Sequence, residues 1–172
     1  MVRRSNLNAN NNLSAEALIE KYSDMIYRVA FSRTQNVSDA QDITQDVFLK
    51  YIKYTKAGNK FRDEEHRKAW LLKVAVNTGN TFVTSAWNRH RASLEEVGEV
   101  ASEEKEDRSE VYDAVMSLPE KYRVVVHLFY FEELSIKQIC NILNMSETAV
   151  KSRLHRAREL LKEKLKGAQY EF

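Results

Sequence analysis

The sequence predicts an all-α protein of two small helical domains joined by a flexible acidic linker, and three observations predict it. Turn formers are scarce: 4 Gly and 1 Pro in 172 residues leave too few tight turns for a sandwich, a barrel or a glycine-rich nucleotide fold. Apolar residues recur at three- and four-residue steps along most of the chain, the spacing of a buried helical face. Charge is segregated: Leu94 to Asp113 holds nine acidic residues against Lys105 and Arg108, a net of −7 in a chain whose total is +2, so the remainder carries +9. A stretch this acidic, containing Gly and Ser and set between two more basic halves, reads as a solvated linker. The expected division is a disordered tail over 1–13 with five Asn in its first twelve residues, a first domain over 14–92, the linker over 93–109 and a second domain over 110–172.

The first helix follows Ser14, with Leu18, Ile19, Tyr22, Met25, Ile26, Val29 and Ala30 on its inner side, and should end near Gln35. Ser38-Asp39-Ala40-Gln41 has the form of a capping box, so a second helix is expected to start there. Its apolar side is Ile43, Val47, Phe48, Tyr51 and Ile52, and Gly58 marks its exit. A loop through Phe61, Arg62 and Asp63 leads to a third helix from about Glu65 to Trp87, with Trp70, Val74, Phe82 and Val83 among its inward candidates.

Beyond the linker, Val111, Ala114, Val115 and Leu118 form a short amphipathic helix that Pro119 must end, because proline lacks an N–H donor and disfavours helix at the residue before it. Pro119 then starts the next helix, which carries Tyr122, Val125, Val126 and Phe129 and stops near Glu132. Ser135-Ile136-Lys137-Gln138 is a further capping box, Asn144 tolerates the left-handed conformation that closes a short helix, and Ser146 caps the last one. Two helices meeting at so tight a turn make a helix-turn-helix. Cys140 supplies the small residue at the crossing, and Val150 is the apolar residue the second helix must bury.

The last helix buries Val150, Leu154, Ala157, Leu161 and Leu165, which leaves Thr148, Lys151, Ser152 and His155 on the other side. Arg153, Arg156 and Arg158 flank them and are expected to diverge toward phosphates on the groove walls. A basic helix with small polar groups near a capped N-terminus suits the DNA major groove. Glu147 either accepts from a cytosine amino group or merely favours the helix N-terminus. An ordinary charged amphipathic helix is the plainer alternative, and the coincidence of caps, turn and basic face weighs against it.

Other chemistries find little support. Cys140 is the single cysteine, four His are scattered, and there is no metal-ligand spacing, phosphate loop or nucleophile with an evident base, so neither an enzyme nor a metal or cofactor is expected. No apolar run approaches the length needed to span a bilayer, and the N-terminus lacks the pattern of an export signal, so a cytoplasmic protein is expected.

Two separated signatures resemble a known family. Leu118-Pro119-Glu120-Lys121-Tyr122-Arg123, Leu134-Ser135-Ile136-Lys137-Gln138-Ile139 and Val150 through Arg158 resemble region 4 of the sigma-70 family, most of all its small extracytoplasmic-function (ECF) group. The resemblance implies that this half reads the promoter minus-35 element through Glu147, Thr148, Lys151, Ser152, Arg153, His155, Arg156 and Arg158, and touches the polymerase beta flap. Asp39 through Phe48 resembles region 2.2, which grips the beta-prime clamp helices of core RNA polymerase. Asp42 and Asp46 lie four apart with Gln45 beside them, so these three are the implied polymerase contacts.

Trp70 through Thr78 resembles region 2.3, and Ser85 to Arg91 occupies region 2.4. The resemblance implies minus-10 contacts from Phe61, Arg62, Asn77, Asn80, Thr84, Trp87, Asn88, Arg89 and Arg91. An extruded base needs a stacking face and amide partners, for which Phe61, Asn77 and Asn80 are the candidates. Trp70 and Phe82 read as core, and Trp87 reads equally as core or as a stacking platform. Many members carry an acidic residue and extra bases after the region 2.3 Asn, where this chain has Asn80, Thr81 and Thr84. The implied partners are core RNA polymerase, promoter DNA and an anti-sigma factor, possibly membrane-tethered. A stand-alone helix-turn-helix regulator fits the second half equally well but leaves Asp42, Gln45, Asp46 and the Trp70 to Asn77 match without a role.

Overall fold

The computed structural model describes residues 12–92 and 109–166, with side chains in the third helix described as far as residue 85. Ser14 accepts a hydrogen bond from the Ala17 amide and opens α1 (Ala15–Thr34), which ends at left-handed Gln35. The second helix, α2 (Val37–Lys56), is capped by Asn36, whose side chain accepts from the Asp39 amide at 2.9 Å. The expected capping box at Ser38 is therefore not the cap. Gln35 turns the chain two residues sooner, and Asn36 supplies the acceptor. Gly58 leaves α2 at φ 89°, a conformation that glycine adopts without a Cβ penalty.

Asn12 and Leu13, expected in a disordered tail, are held instead. The Asn12 side chain donates to the Asn59 carbonyl at 3.0 Å, and the Leu13 amide donates to the Tyr51 hydroxyl at 2.9 Å. The disorder expected of residues 1–11 lies outside the described residues, as does the linker over 93–108.

In α3 (Glu64–Ala92) Leu71, Leu72, Ala75 and Val76 are buried apolar residues and Arg67 is buried with them, while Trp70, Val74, Phe82 and Val83 are half-buried. The inward face differs from the sequence expectation because α3 is covered twice, by α1 and α2 on one side and by the second half of the chain on the other. Adjacent residues such as Leu71 and Leu72 then bury in different directions.

The second half comprises α4 (Glu110–Met116), α5 (Glu120–Val126) continued by a π-helical turn over His127–Phe131, α6 (Ile136–Leu143) and α7 (Glu147–Lys164). The Ser135–Gln138 capping box, left-handed Asn144 and the Ser146 cap are all present. Val124, Val125 and Val126 are buried in succession, since α5 is packed on several sides, one of them being α1.

The two halves share one hydrophobic core, and polar contacts seam them together. Arg33 pairs with Glu120 at 2.7 Å, Gln138 donates to Glu65 at 2.8 Å and Lys68 donates to the Glu132 carbonyl at 3.1 Å. The Glu132 carboxylate is buried, with His127 Nε2 at 3.3 Å and Arg28 of α1 at 3.6 Å. Burial pushes this carboxyl up, yet contact with His127 and the charges of His127, Arg28 and Lys68 outweigh burial and hold it below the usual glutamate range.

A depressed carboxyl stabilises the fold above its unfolded pKa, and that stability is lost as pH falls through the folded value. Glu132→Gln should accordingly lower the urea midpoint near neutral pH, and the gap from wild type should close as pH falls from about 6 to about 3. A gap independent of pH would show that the carboxylate charge contributes nothing.

Candidate nucleic-acid and polymerase interfaces

The helix-turn-helix is built locally. The Asn144 amide donates to the Cys140 carbonyl and the Met145 amide to the same oxygen at 3.0 Å, closing α6 and turning the chain into α7. Ile139, Ile142, Val150, Leu154, Ala157 and Leu161 bury between the elements, and Cys140 is a half-buried free thiol packed against this core. Glu147, Thr148, Lys151, Ser152, His155 and Arg156 are all exposed along α7. Lys151 lies 3.4 Å from Glu147, and Glu159 receives Arg156 at 2.8 Å and His155 at 3.6 Å. The charged tips are thus held along the helix, with the small Thr148 and Ser152 between them.

Two flanking arginines do not share that surface. Arg158 donates to the Tyr130 hydroxyl at 2.8 Å, with its guanidinium 5.9 Å and 5.8 Å from the Phe129 and Tyr130 ring centroids. Rather than diverging toward a groove wall, it rests here on an aromatic ridge beside the core, because 80° of helical rotation puts it next to Val150 rather than opposite. Arg153 leaves the other flank of α7 and faces α3 and α5 across the seam.

On α2, Asp42 and Gln45 are exposed, while Ile43 and Val47 are fully buried on the opposite side. Asp46 is partly engaged, pairing with Lys50 at 2.7 Å, and Lys50 also donates to Thr78 of α3 at 2.8 Å. Leu49, 55% exposed, completes the same face. Sequence reasoning passed over Leu49, although its spacing of seven from Asp42 was the available signal.

The minus-10 candidates divide. Asn77, Asn80 and Thr84 are exposed at helical spacing along α3, with Asn80 Oδ1 accepting from Arg33. Arg62 is exposed and paired with Asp63 at 2.8 Å, and Asp63 in turn accepts from the His66 amide at 2.7 Å. Those two hydrogen bonds, Arg62 first, hold the Asp63 carboxyl below its ordinary range. Phe61 is buried and stacked on Tyr51 with ring centroids 5.5 Å apart, within a cluster that includes Tyr54 and Trp70. Its ring faces this cluster rather than solvent, so in this structure it offers no exposed stacking face. Asn77 also lies about 20 Å further along α3 than its first residue, so the three do not form one base pocket. The side chains of Trp87, Asn88, Arg89 and Arg91 lie outside the described residues.

Family models described as Sigma-70 region 2 and Sigma-70, region 4 match residues 18–89 and 108–161. RNA polymerase sigma factor SigV of Bacillus subtilis is 31% identical over 147 residues, covering 84% of this chain and 86% of that protein. The chain belongs to the sigma-70 family. The ECF sigma factor SigW of Bacillus subtilis, 28% identical over 87% of each chain, places it among the ECF sigma factors. Among solved structures, the sigma factor RpoE in complex with the anti-sigma factor NepR from Bartonella quintana matches in fold, with TM-score 0.67 and 20% identity over 90% of this chain and 98% of that one.

As an ECF sigma factor, the chain is an initiation subunit of bacterial RNA polymerase and not an enzyme. No described helix is long and apolar enough to cross a membrane. Sequence reasoning missed the polar seam, in which Arg123, His127 and Glu132 are buried, Arg33 is nearly so and Arg28 reaches in from the surface. The one available signal was the unbroken Val124-Val125-Val126 run, which a helix exposed on one side would not carry.

Proposed function

We propose that this sigma factor divides its work among three faces. The exposed side of α2, Asp42, Gln45 and Leu49 with Asp46 at its edge, docks on the beta-prime clamp helices of core polymerase. Asn77, Asn80 and Thr84, continued by the region 2.4 residues and with Arg62 beside the start of α3, contact the minus-10 element. Thr148, Lys151, Ser152, His155 and Arg156, with Glu147 at the helix start, read and anchor the minus-35 element, while region 4 also touches the beta flap. Domain boundaries near 14–92 and 110–172 match these roles. The observation that carries the reading is the helix-turn-helix itself, closed at Asn144 and presenting five of its polar residues together on the exposed side of α7. An anti-sigma factor acting in the cytoplasm is the proposed regulator, supported by relatives of this fold captured with NepR and with the cytosolic domain of CnrY.

The test is transcription from a minus-35 promoter library by core polymerase with the purified chain at two salt concentrations. Lys151→Ala should change which bases are preferred, with a penalty on the order of 1–3 kcal/mol for a lost base contact. Arg156→Ala should weaken all promoters alike and lower the salt slope by about one. Arg158→Ala should leave base preference and slope unchanged, since its partners are Phe129 and Tyr130. Identical base preferences for wild type and Lys151→Ala would refute the assignment of base reading to this face.

A further inference from the structure

Where α1 ends against α5, the two halves enclose a cavity of about 290 Å³. Its polar lining is Arg33 from α1, Asn77 and Asn80 from α3, Glu120 and Lys121 from α5, and Arg153 from α7. Three cations therefore face one carboxylate. Glu120 is committed to Arg33 at 2.7 Å, while Arg153 and Lys121 have no carboxylate partner among the described residues.

Arg33 is the residue most in need of a further partner. Its side chain is 11% exposed, and its Nε is buried without a hydrogen-bond acceptor. Burial and the nearby Arg153 both push its guanidinium down, against Glu120. Asn80 gives its carbonyl oxygen to Arg33, which leaves its amide group to donate. The cavity thus presents guanidinium, ammonium and amide donors from several directions with two positive charges uncompensated. Donors arranged in this way suit a tetrahedral dianion better than a planar monoanion.

We propose that this cavity binds a small phosphate-bearing anion, of phosphate to diphosphate size, and that the bound anion holds the two halves together. Each half contributes, so an anion bridging Arg33 and Asn80 to Lys121 and Arg153 stabilises only the closed arrangement, by the linkage that favours any state a ligand binds preferentially. The site stands on the geometry of the seam and not on the promoter contacts proposed above. Because Asn77 and Asn80 serve in both readings, the anion and promoter DNA should compete.

The experiment is calorimetric titration of the full chain with inorganic pyrophosphate at low ionic strength, with hydrogen exchange in α5 as a second readout. Saturable one-site binding is expected, weakened roughly tenfold by Arg153→Gln or Lys121→Gln and unaffected by Lys162→Gln, which is exposed elsewhere on α7. Exchange in α5 should slow on binding. A single-stranded oligonucleotide, titrated in parallel, distinguishes a free anion from a nucleic-acid phosphate: pyrophosphate should reduce its binding. Absence of saturable pyrophosphate binding, equal weakening by Lys162→Gln, dependence on Arg153 for the oligonucleotide alone, or unchanged α5 exchange on binding would each overturn the proposal. Unchanged base preference in Lys151→Ala with intact pyrophosphate binding would instead count against the proposed promoter contacts and leave the anion site standing.

Discussion

Asp42→Arg should weaken association with core polymerase on the order of hundredfold while leaving the helical signal and thermal midpoint unchanged. Asp42 is exposed, no ion pair holds it among the described residues, and its neighbours Ile43 and Val47 carry the packing on the opposite side of α2. Placing a cation where a docking face presents an anion turns attraction into repulsion, and like charges juxtaposed across an interface cost several kcal/mol. Asp46→Arg is a less clean experiment: it would break the 2.7 Å pair with Lys50 and disturb the Lys50 to Thr78 bond that joins α2 to α3. Leu49→Ala supplies the complement, removing apolar surface from the same face without changing charge. Size-exclusion or pull-down binding to core polymerase checks both variants, and undiminished binding by Asp42→Arg would remove α2 from the polymerase interface.

Arg123→Ala is expected to have the largest effect on stability, about 2–4 kcal/mol in urea unfolding. The Arg123 side chain is buried and donates to three backbone carbonyls: Ser32 through Nε, and Met116 at 3.2 Å and Leu118 at 2.8 Å through Nη1. Ser32 lies in the last turn of α1, and Met116 and Leu118 lie at the end of α4. Carbonyls at helix ends have no partner within their own helix, and a cation there also meets the negative end of the helix dipole. One guanidinium thus closes two helices from opposite halves of the chain.

Burial pushes its pKa down, with Arg33 adding to the effect and Glu120 opposing it, but an arginine keeps its charge far from neutral pH. Truncation would strand the Ser32 and Leu118 carbonyls, while the Met116 carbonyl keeps the Gln35 side-chain amide. Arg123→Lys should recover only part of the loss, because an ammonium cannot reproduce the planar fork. A change within about 0.5 kcal/mol would mean that water reaches those carbonyls and that the guanidinium is dispensable.

The seam has a functional implication as well. With α1 joined to α5 and α3 to α6, Asn77, Asn80 and Arg153 line one cavity, whereas the minus-10 and minus-35 elements are separate stretches of promoter. On the promoter contacts proposed above, engaging both would require the halves to part, at a cost set by the contacts of Arg123, Arg33 and Glu132.

Sequence alone determined the helices, the helix-turn-helix and every cap named here except that of α2, which fell to Asn36 rather than Ser38. Ser14, Ser135, Asn144 and Ser146 act on backbone groups within a few residues of themselves, so their roles depend on nothing distant. The acidic face of α2 was likewise legible, because four-residue spacing puts Asp42 and Asp46 on one side whatever packs behind them. Even here tertiary structure intervened, drawing Asp46 to Lys50 and adding Leu49.

Only the tertiary structure decided which residues of α3 and α5 are interior, that Phe61 belongs to an aromatic cluster, that Arg158 rests on Phe129 and Tyr130, and that Arg123 spans the two halves. Each of these depends on partners far away in the chain, as far as the 91 residues between Arg123 and Ser32. Helical periodicity reports that a face is apolar, but a helix covered on two sides has two such faces, and which neighbour covers each is settled by packing.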